Sequence, residues 1–151
     1  MGIKQISDRP IRTGTPNAFD DEIKIMLEAR RTNIKVVGCG GAGGNTVTRL
    51  MQVGIIGAET IALNTDALDL LNTESDKKLV IGKELTQGLG AGANPVIGME
   101  AAKESKEEIK KLLQGADMVF ITCGLGGGTG SGSAPVVADI AKKMGPLTVA
   151  R

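Results

Sequence analysis

Two glycine-dense stretches carry the clearest chemistry in this 151-residue chain: Gly38-Cys39-Gly40-Gly41-Ala42-Gly43 and the nine residues from Gly124 to Gly132. Each follows an apolar run and precedes helical periodicity. A bare turn leading into a helix N-terminus binds anions for two reasons. The first backbone N–H groups of the helix have no internal partner, and the helix dipole adds positive potential there. Glycine lets the backbone approach phosphate oxygens closely. The first stretch matches G-x-G-x-x-G, a weak signal by itself, because a tight strand–helix turn without ligand has the same pattern. The second holds six glycines in nine residues. Glycine is costly in chain entropy and weakens a helix start, so packing alone seldom explains that density. Two such sites together suggest a ligand with several phosphates, gripped from both sides.

Neither stretch contains the lysine of a G-x-x-x-x-G-K-[ST] loop, so main-chain dipoles, the Thr129 and Ser131 hydroxyls and a divalent cation would have to balance the charge. A dinucleotide is the competing ligand. It calls for an acidic residue about 20 positions after the first fingerprint, and Asp66 lies close to that place. That fold has no need of the denser second turn. Other chemistries are excluded by composition. There is no histidine, which removes Ser-His-Asp triads and His-ligated zinc, and the only cysteines are Cys39 and Cys123. They read as reduced cytosolic thiols; each opens a glycine turn, where a small packed side chain is the plainer role and a reactive thiol the alternative. A net charge of +1 and two Phe argue against nucleic acid. No apolar run is long enough to insert in a membrane.

The elements that must position the turns alternate along the chain. Residues 1–19 read as a mobile tail and 20–151 as the domain, opening with a short outer helix from Asp20. Strands are expected at Asn33–Gly38, Thr60–Asn64, Lys78–Ile81, Ala116–Thr122 and Leu147–Ala150. Helices are expected at Asn45–Gln52 and Ala67–Leu71, from Asn94 to about Leu113, and through Val137, Ile140, Ala141 and Met144 to Gly145. Phe120 reads as core, Lys103–Lys111 as a solvated helix face that could border a subunit contact in a polymer, and Asp117 as a boundary residue. The alternation predicts an α/β fold, a parallel sheet with helices on both faces. Ligands of such folds bind beyond the carboxyl ends of the strands, where a third glycine-rich loop, Thr86–Pro95, would join the other two.

Four segments together, GCGGAGGN (Gly38–Asn45), ALNTDA (Ala62–Ala67), GLGAGANP (Gly88–Pro95) and GGGTGSG (Gly126–Gly132), resemble FtsZ, the tubulin-like family of cell-division GTPases. The resemblance runs from the first strand to the last residue. It implies a Rossmann-like sheet that is C-terminally incomplete, GTP or GDP as ligand with Mg2+, and head-to-tail polymerisation into filaments of the division ring. It also implies membrane-anchoring partner proteins and a cytoplasmic, mid-cell location. By the same resemblance, Gly40, Gly41, Ala42, Gly43, Gly44 and Asn45 present amides to phosphate. Gly126, Gly127, Gly128, Thr129 and Gly130 cradle the β- and α-phosphates. Ala91, Gly92 and Ala93 sense the γ-phosphate, and Asp66 lies near the phosphates and metal. None is a catalytic acid or base, and no metal ligand is assigned.

Members of that family run to more than twice this length, and Arg151 stands where another apolar strand residue is expected. The segments implied to contact the base, the second domain and the acidic loop that activates water on a neighbouring subunit would lie beyond it. The expectation is therefore a truncated GTP-binding domain, inactive in hydrolysis alone, weak in base discrimination and prone to aggregate.

Overall fold

The computed structural model describes residues 18–151, which fall into two units, one ending at Arg31 and one running from Thr32 to Arg151. The expected tail lies outside the described residues except for its last two positions. Those begin helix α1 (Ala18–Ala29), so Asp20 and Asp21 occupy its first turn instead of capping it. Their charge there complements the helix dipole.

The second unit runs β1 (Ile34–Cys39), α2 (Gly40–Val53), β2 (Ala58–Asn64), α3 (Ala67–Asn72), β3 (Lys77–Val80), α4 (Lys83–Thr86), α5 (Pro95–Glu104), α6 (Lys106–Leu113), β4 (Met118–Cys123), α7 (Thr129–Met144) and β5 (Leu147–Ala150). The strands form one sheet in the order β3-β2-β1-β4-β5, every neighbouring pair parallel. The expected α/β fold is thus present. The order reverses between β1 and β4, which makes the carboxyl ends of those two strands the topological switch point. These are the strands that lead into the two glycine turns.

One sheet face carries most of the core. Val37, Ile61, Leu63, Val119 and Ile121 meet Ile109 and Leu113 of α6 and Val137 and Ile140 of α7, all buried. Burying each such side chain stabilises by about 1.5–3 kcal/mol. Helix α2 covers β1 and β2 on the other face. At the far end of β1 from the switch point, Lys35 is also buried. Its Nζ donates to the Leu112 carbonyl at 2.6 Å, near the C-terminus of α6, and faces Glu59 at 3.4 Å. A cation satisfying the last carbonyls of a helix explains its tolerance in the interior.

Four features differ from the sequence-based expectation. The helix expected from Asn94 to Leu113 is two helices. Ser105, buried at the break, turns its hydroxyl to accept the Gly82 N–H at 3.0 Å. Helix α2 starts at Gly40, not Asn45, so the first glycine stretch is largely helix. The short helix α4, preceding the third glycine loop, was not foreseen. Phe120 is not core but 38% exposed. Strand β4 alternates, with Val119 and Ile121 under α7 and Phe120 on the opposite face, beside Val149 of β5. Among the described residues no helix is long and apolar enough to cross a membrane.

Candidate functional site

Strand β1 ends at Cys39 and β4 at Cys123, in register with each other, so both chains leave the sheet side by side. The two turns then pack on one another through backbone. A Cβ built on Gly40, whose φ is +73°, would lie 2.6 Å from the Gly130 nitrogen, and one on Gly124 would lie 2.6 Å from the Ala42 Cβ. Only a glycine at position 40 meets both the left-handed φ and that contact. Between the turns lies a cavity of about 240 Å³, walled by Cys39, Gly41 and Ala42 on one side and by Gly124, Leu125 and Gly127–Gly130 on the other.

The walls contain no charged side chain, yet the site is electropositive. Both α2 and α7 point their N-termini at it, and neither has a side-chain cap. In α7 the first intrahelical bond runs from Gly132 N–H to the Gly128 carbonyl at 3.1 Å. The amides of Thr129, Gly130 and Ser131 precede it and have no intrahelical acceptor. The corresponding amides of α2 are those of Gly40, Gly41 and Ala42. Each helix end contributes the equivalent of roughly half a positive charge.

The predicted residues divide into groups. Gly41, Ala42, Gly127, Gly128, Thr129 and Gly130 line the cavity, and Gly40 joins the two turns. Gly126 (φ +106°) stands at the bend of the second turn, where its N–H donates to Ser131 Oγ at 3.1 Å. Gly43 and Gly44 are buried and serve packing: a Cβ on Gly43 would lie 2.6 Å from the Thr122 carbonyl oxygen, and one on Gly44 3.2 Å from Thr73 Oγ1. Asn45 is exposed on α2 outside the cavity wall. The third loop reaches the second turn instead of the cavity itself. A Cβ on Gly128 would sit 3.0 Å from the Ala91 Cβ and 2.6 Å from the Asn94 nitrogen. Ala93 holds a φ of +59° without being glycine, a strained conformation beside Gly92 at +57°.

Asp66 caps α3, its Oδ1 accepting the Asp69 N–H at 3.0 Å, and it pairs with Leu89 of the third loop. Two neighbours in the same segment escaped the sequence reading. Thr65 is fully buried, and its hydroxyl meets that of Thr129 at 2.6 Å, tying the end of β2 to the first residue of α7. Asp69 directs Oδ2 to within 3.3 Å of where a Gly41 Cβ would stand and accepts from Asn64 Nδ2 at 2.7 Å. Asp69 stands three positions beyond Asp66, a spacing that puts both on one turn of α3; the Thr65–Thr129 contact had no local signal. Among the described residues no three His, Cys, Asp or Glu side chains gather as a metal cage. A divalent cation held by one or two carboxylates and by phosphate oxygens suits Asp66 and Asp69, since Mg2+ keeps several waters.

Cys39 borders the cavity but its thiol is buried in the core beside Ser133, and burial pushes its pKa from 9.0 up to about 12. The folded chain therefore holds this proton more tightly than the unfolded chain. Its contribution to stability is complete below pH 9 and is lost progressively as the pH rises from 9 towards 12. Urea midpoints taken near neutrality and near pH 11 are expected to fall further for the wild-type chain than for Cys39→Ala.

A family model described as the Tubulin/FtsZ family, GTPase domain, matches residues 33–151. Cell division protein FtsZ 1 of Thermococcus kodakarensis is 66% identical over 136 residues, covering 90% of this chain and 36% of its own length. A solved structure titled an empty FtsZ dimer of M. jannaschii superposes with a TM-score of 0.80 at 64% identity, over 89% of this chain and 39% of that one. A GTPγS-bound CetZ2 protofilament of Haloferax volcanii gives 0.69 at 26% identity, over 79% of this chain and 39% of its own. The chain spans little more than a third of the length of these relatives. Sheet order, the paired turns and the match across residues 33–151 agree: this chain belongs to the Tubulin/FtsZ family, within its GTPase domain.

Proposed function

We propose that residues 32–151 form the phosphate-gripping part of a GTP-binding subunit that assembles head to tail into cell-division filaments. The observation that carries this reading is the convergence of two uncapped helix N-termini on one lysine-free cavity. In the proposal, the amides of Gly41, Ala42, Thr129 and Gly130 hold the phosphate chain. Asp66 and Asp69 face the cation, which when bound neutralises phosphate charge. The third loop reports on the terminal phosphate through Ala91–Ala93, because Gly128 packs directly on it. The remaining proposed residues shape this cradle: Gly40, Gly43 and Gly44 pack it, Gly126 bends it, and Asn45 borders it. Filament assembly draws support from the solved relatives described as a dimer and a protofilament. A location at the division site, in the cytoplasm and beside membrane-anchoring partners, belongs to the same proposal.

Among the described residues no acidic side chain lines this cavity to activate water. Asp66 caps α3 and Asp69 accepts from Asn64. Residues 1–151 by themselves are therefore expected to bind nucleotide without turning it over. Isothermal titration with GTP, GDP and ATP plus Mg2+ tests the reading. Comparable binding of all three, competed by pyrophosphate, is expected because every contact proposed for the cavity is to phosphate. A sensitive phosphate-release assay should stay at the buffer rate. NADH binding that GTP fails to displace would favour the dinucleotide reading instead.

A further inference from the structure

We propose that Cys39 and Cys123 form a redox switch, in which oxidation by a small-molecule disulfide joins β1 to β4 and closes the two-turn cavity to a polyphosphate. Both thiols are free. They are register partners on neighbouring parallel strands, each the last residue of its strand. In-register neighbours stand about 4.8 Å apart and carry their side chains on one face. That spacing falls inside the range of about 4.4–6.8 Å that a disulfide requires between Cα atoms. Cys39 walls the cavity, and Cys123 opens the second turn.

The burial of the two thiols sets the order of events. Cys123 is half-buried and reacts first: its thiolate attacks the small disulfide RSSR, giving Cys123–S–S–R and releasing RS⁻. The Cys39 thiol is wholly buried, and burial keeps it protonated, so direct attack from solution is slow. It loses its proton only as its sulfur attacks the neighbouring Cys123 sulfur, expelling a second RS⁻ and leaving Cys39–S–S–Cys123. Two protons leave the protein, and RSSR is reduced to two thiols.

The consequence for the cavity follows from what lies on the pair. A Cβ built on Gly130 would stand 2.8 Å from the Cys39 carbonyl oxygen and 3.4 Å from the Cys123 Cβ. The first turn of α7 thus rests on both cysteines with backbone alone between them. Drawing the two sulfurs together to a bond of about 2.05 Å shifts the strand ends against that turn. The amides of Thr129 and Gly130 then leave their shared aim with Gly41 and Ala42.

Bond formation needs no assumption about the ligand; the loss of binding rests on the polyphosphate reading. The full 151-residue chain is treated with oxidised glutathione, freed of it, and digested with trypsin. A linked pair of peptides containing Cys39 and Cys123, lighter by two hydrogens than the reduced pair, is expected. A stable glutathione adduct on Cys123 without the link would overturn the proposal. Fluorescent GTP analogue binding should weaken roughly tenfold on oxidation, equivalent to one charge-assisted hydrogen bond, and recover with dithiothreitol. Cys123→Ala should bind equally before and after oxidation, whereas Cys39→Ala should stop at a glutathione adduct on Cys123 with no link. Linked protein with unchanged affinity would refute the switch. Should the reduced chain bind no nucleotide at all, the functional reading fails separately. Hydrogen exchange then decides the switch: faster exchange at residues 124–131 in the linked form sustains it, and identical exchange rejects it.

Discussion

Gly132→Ala is expected to destabilise the chain by about 3 kcal/mol, enough to lower the melting temperature by many degrees and leave much of the protein insoluble. Helices α5 and α7 cross in backbone contact at this residue. A Cβ there would overlap the Pro95 carbonyl oxygen and lie 2.6 Å from the Met99 nitrogen. On the partner helix, Gly98 answers it, since its own Cβ would lie 2.9 Å from the Thr129 Cα. No flexible side chain is available to give way, so the helices must part. The intrinsic preference of a helix for alanine over glycine, about 1 kcal/mol, works in the opposite direction and is outweighed. Parting also drags Thr129 from Thr65, so nucleotide affinity should fall with stability. Thermal melts followed by circular dichroism check the first effect. A melting temperature equal to wild type would show that the crossing is looser than described.

Gly127→Ala is expected to do the reverse, leaving stability within about 0.5 kcal/mol of wild type while weakening GTP binding roughly ten- to hundredfold. Gly127 lines the cavity, has no left-handed φ, and a Cβ there would meet nothing within 4 Å. Neither packing nor conformation demands glycine at this position. The remaining explanation is close approach by a ligand: a methyl group would hold phosphate oxygens off the surrounding amides and cost one or two charge-assisted hydrogen bonds. Titration of the fluorescent GTP analogue against wild type and variant, beside matched melts, separates the two effects. Unchanged affinity in Gly127→Ala would remove the second turn from the binding surface.

The contrast between these two glycines shows what could and could not be read from the sequence. The alternation of apolar runs with helical periodicity placed all five strands and the parallel sheet, because a strand covered on both faces and an amphipathic helix leave different spacings. The position of both turns on one rim followed from topology alone. Which glycine serves packing and which serves a ligand did not. Gly43 and Gly127 look alike in sequence, yet one is pressed against the Thr122 carbonyl and the other faces open space. The break at Ser105 was hidden because the Lys/Glu pattern runs through it unchanged. Only a tertiary partner, the Gly82 amide, draws the serine hydroxyl out of the helical frame. Phe120 was misread because an apolar run does not reveal how fully each face is covered: Val119 and Ile121 are buried, while Phe120 between them is not. The Thr65–Thr129 contact joins residues 64 positions apart and leaves no local trace.

Nuclear magnetic resonance of the reduced, isotope-labelled chain during titration with pyrophosphate and Mg2+ tests the central claim most directly. The amide signals of Gly41 and Ala42 and those of Thr129 and Gly130 should move together along a single saturation curve. Movement of one set while the other stays fixed, or two curves with unrelated midpoints, would contradict a shared grip by both turns.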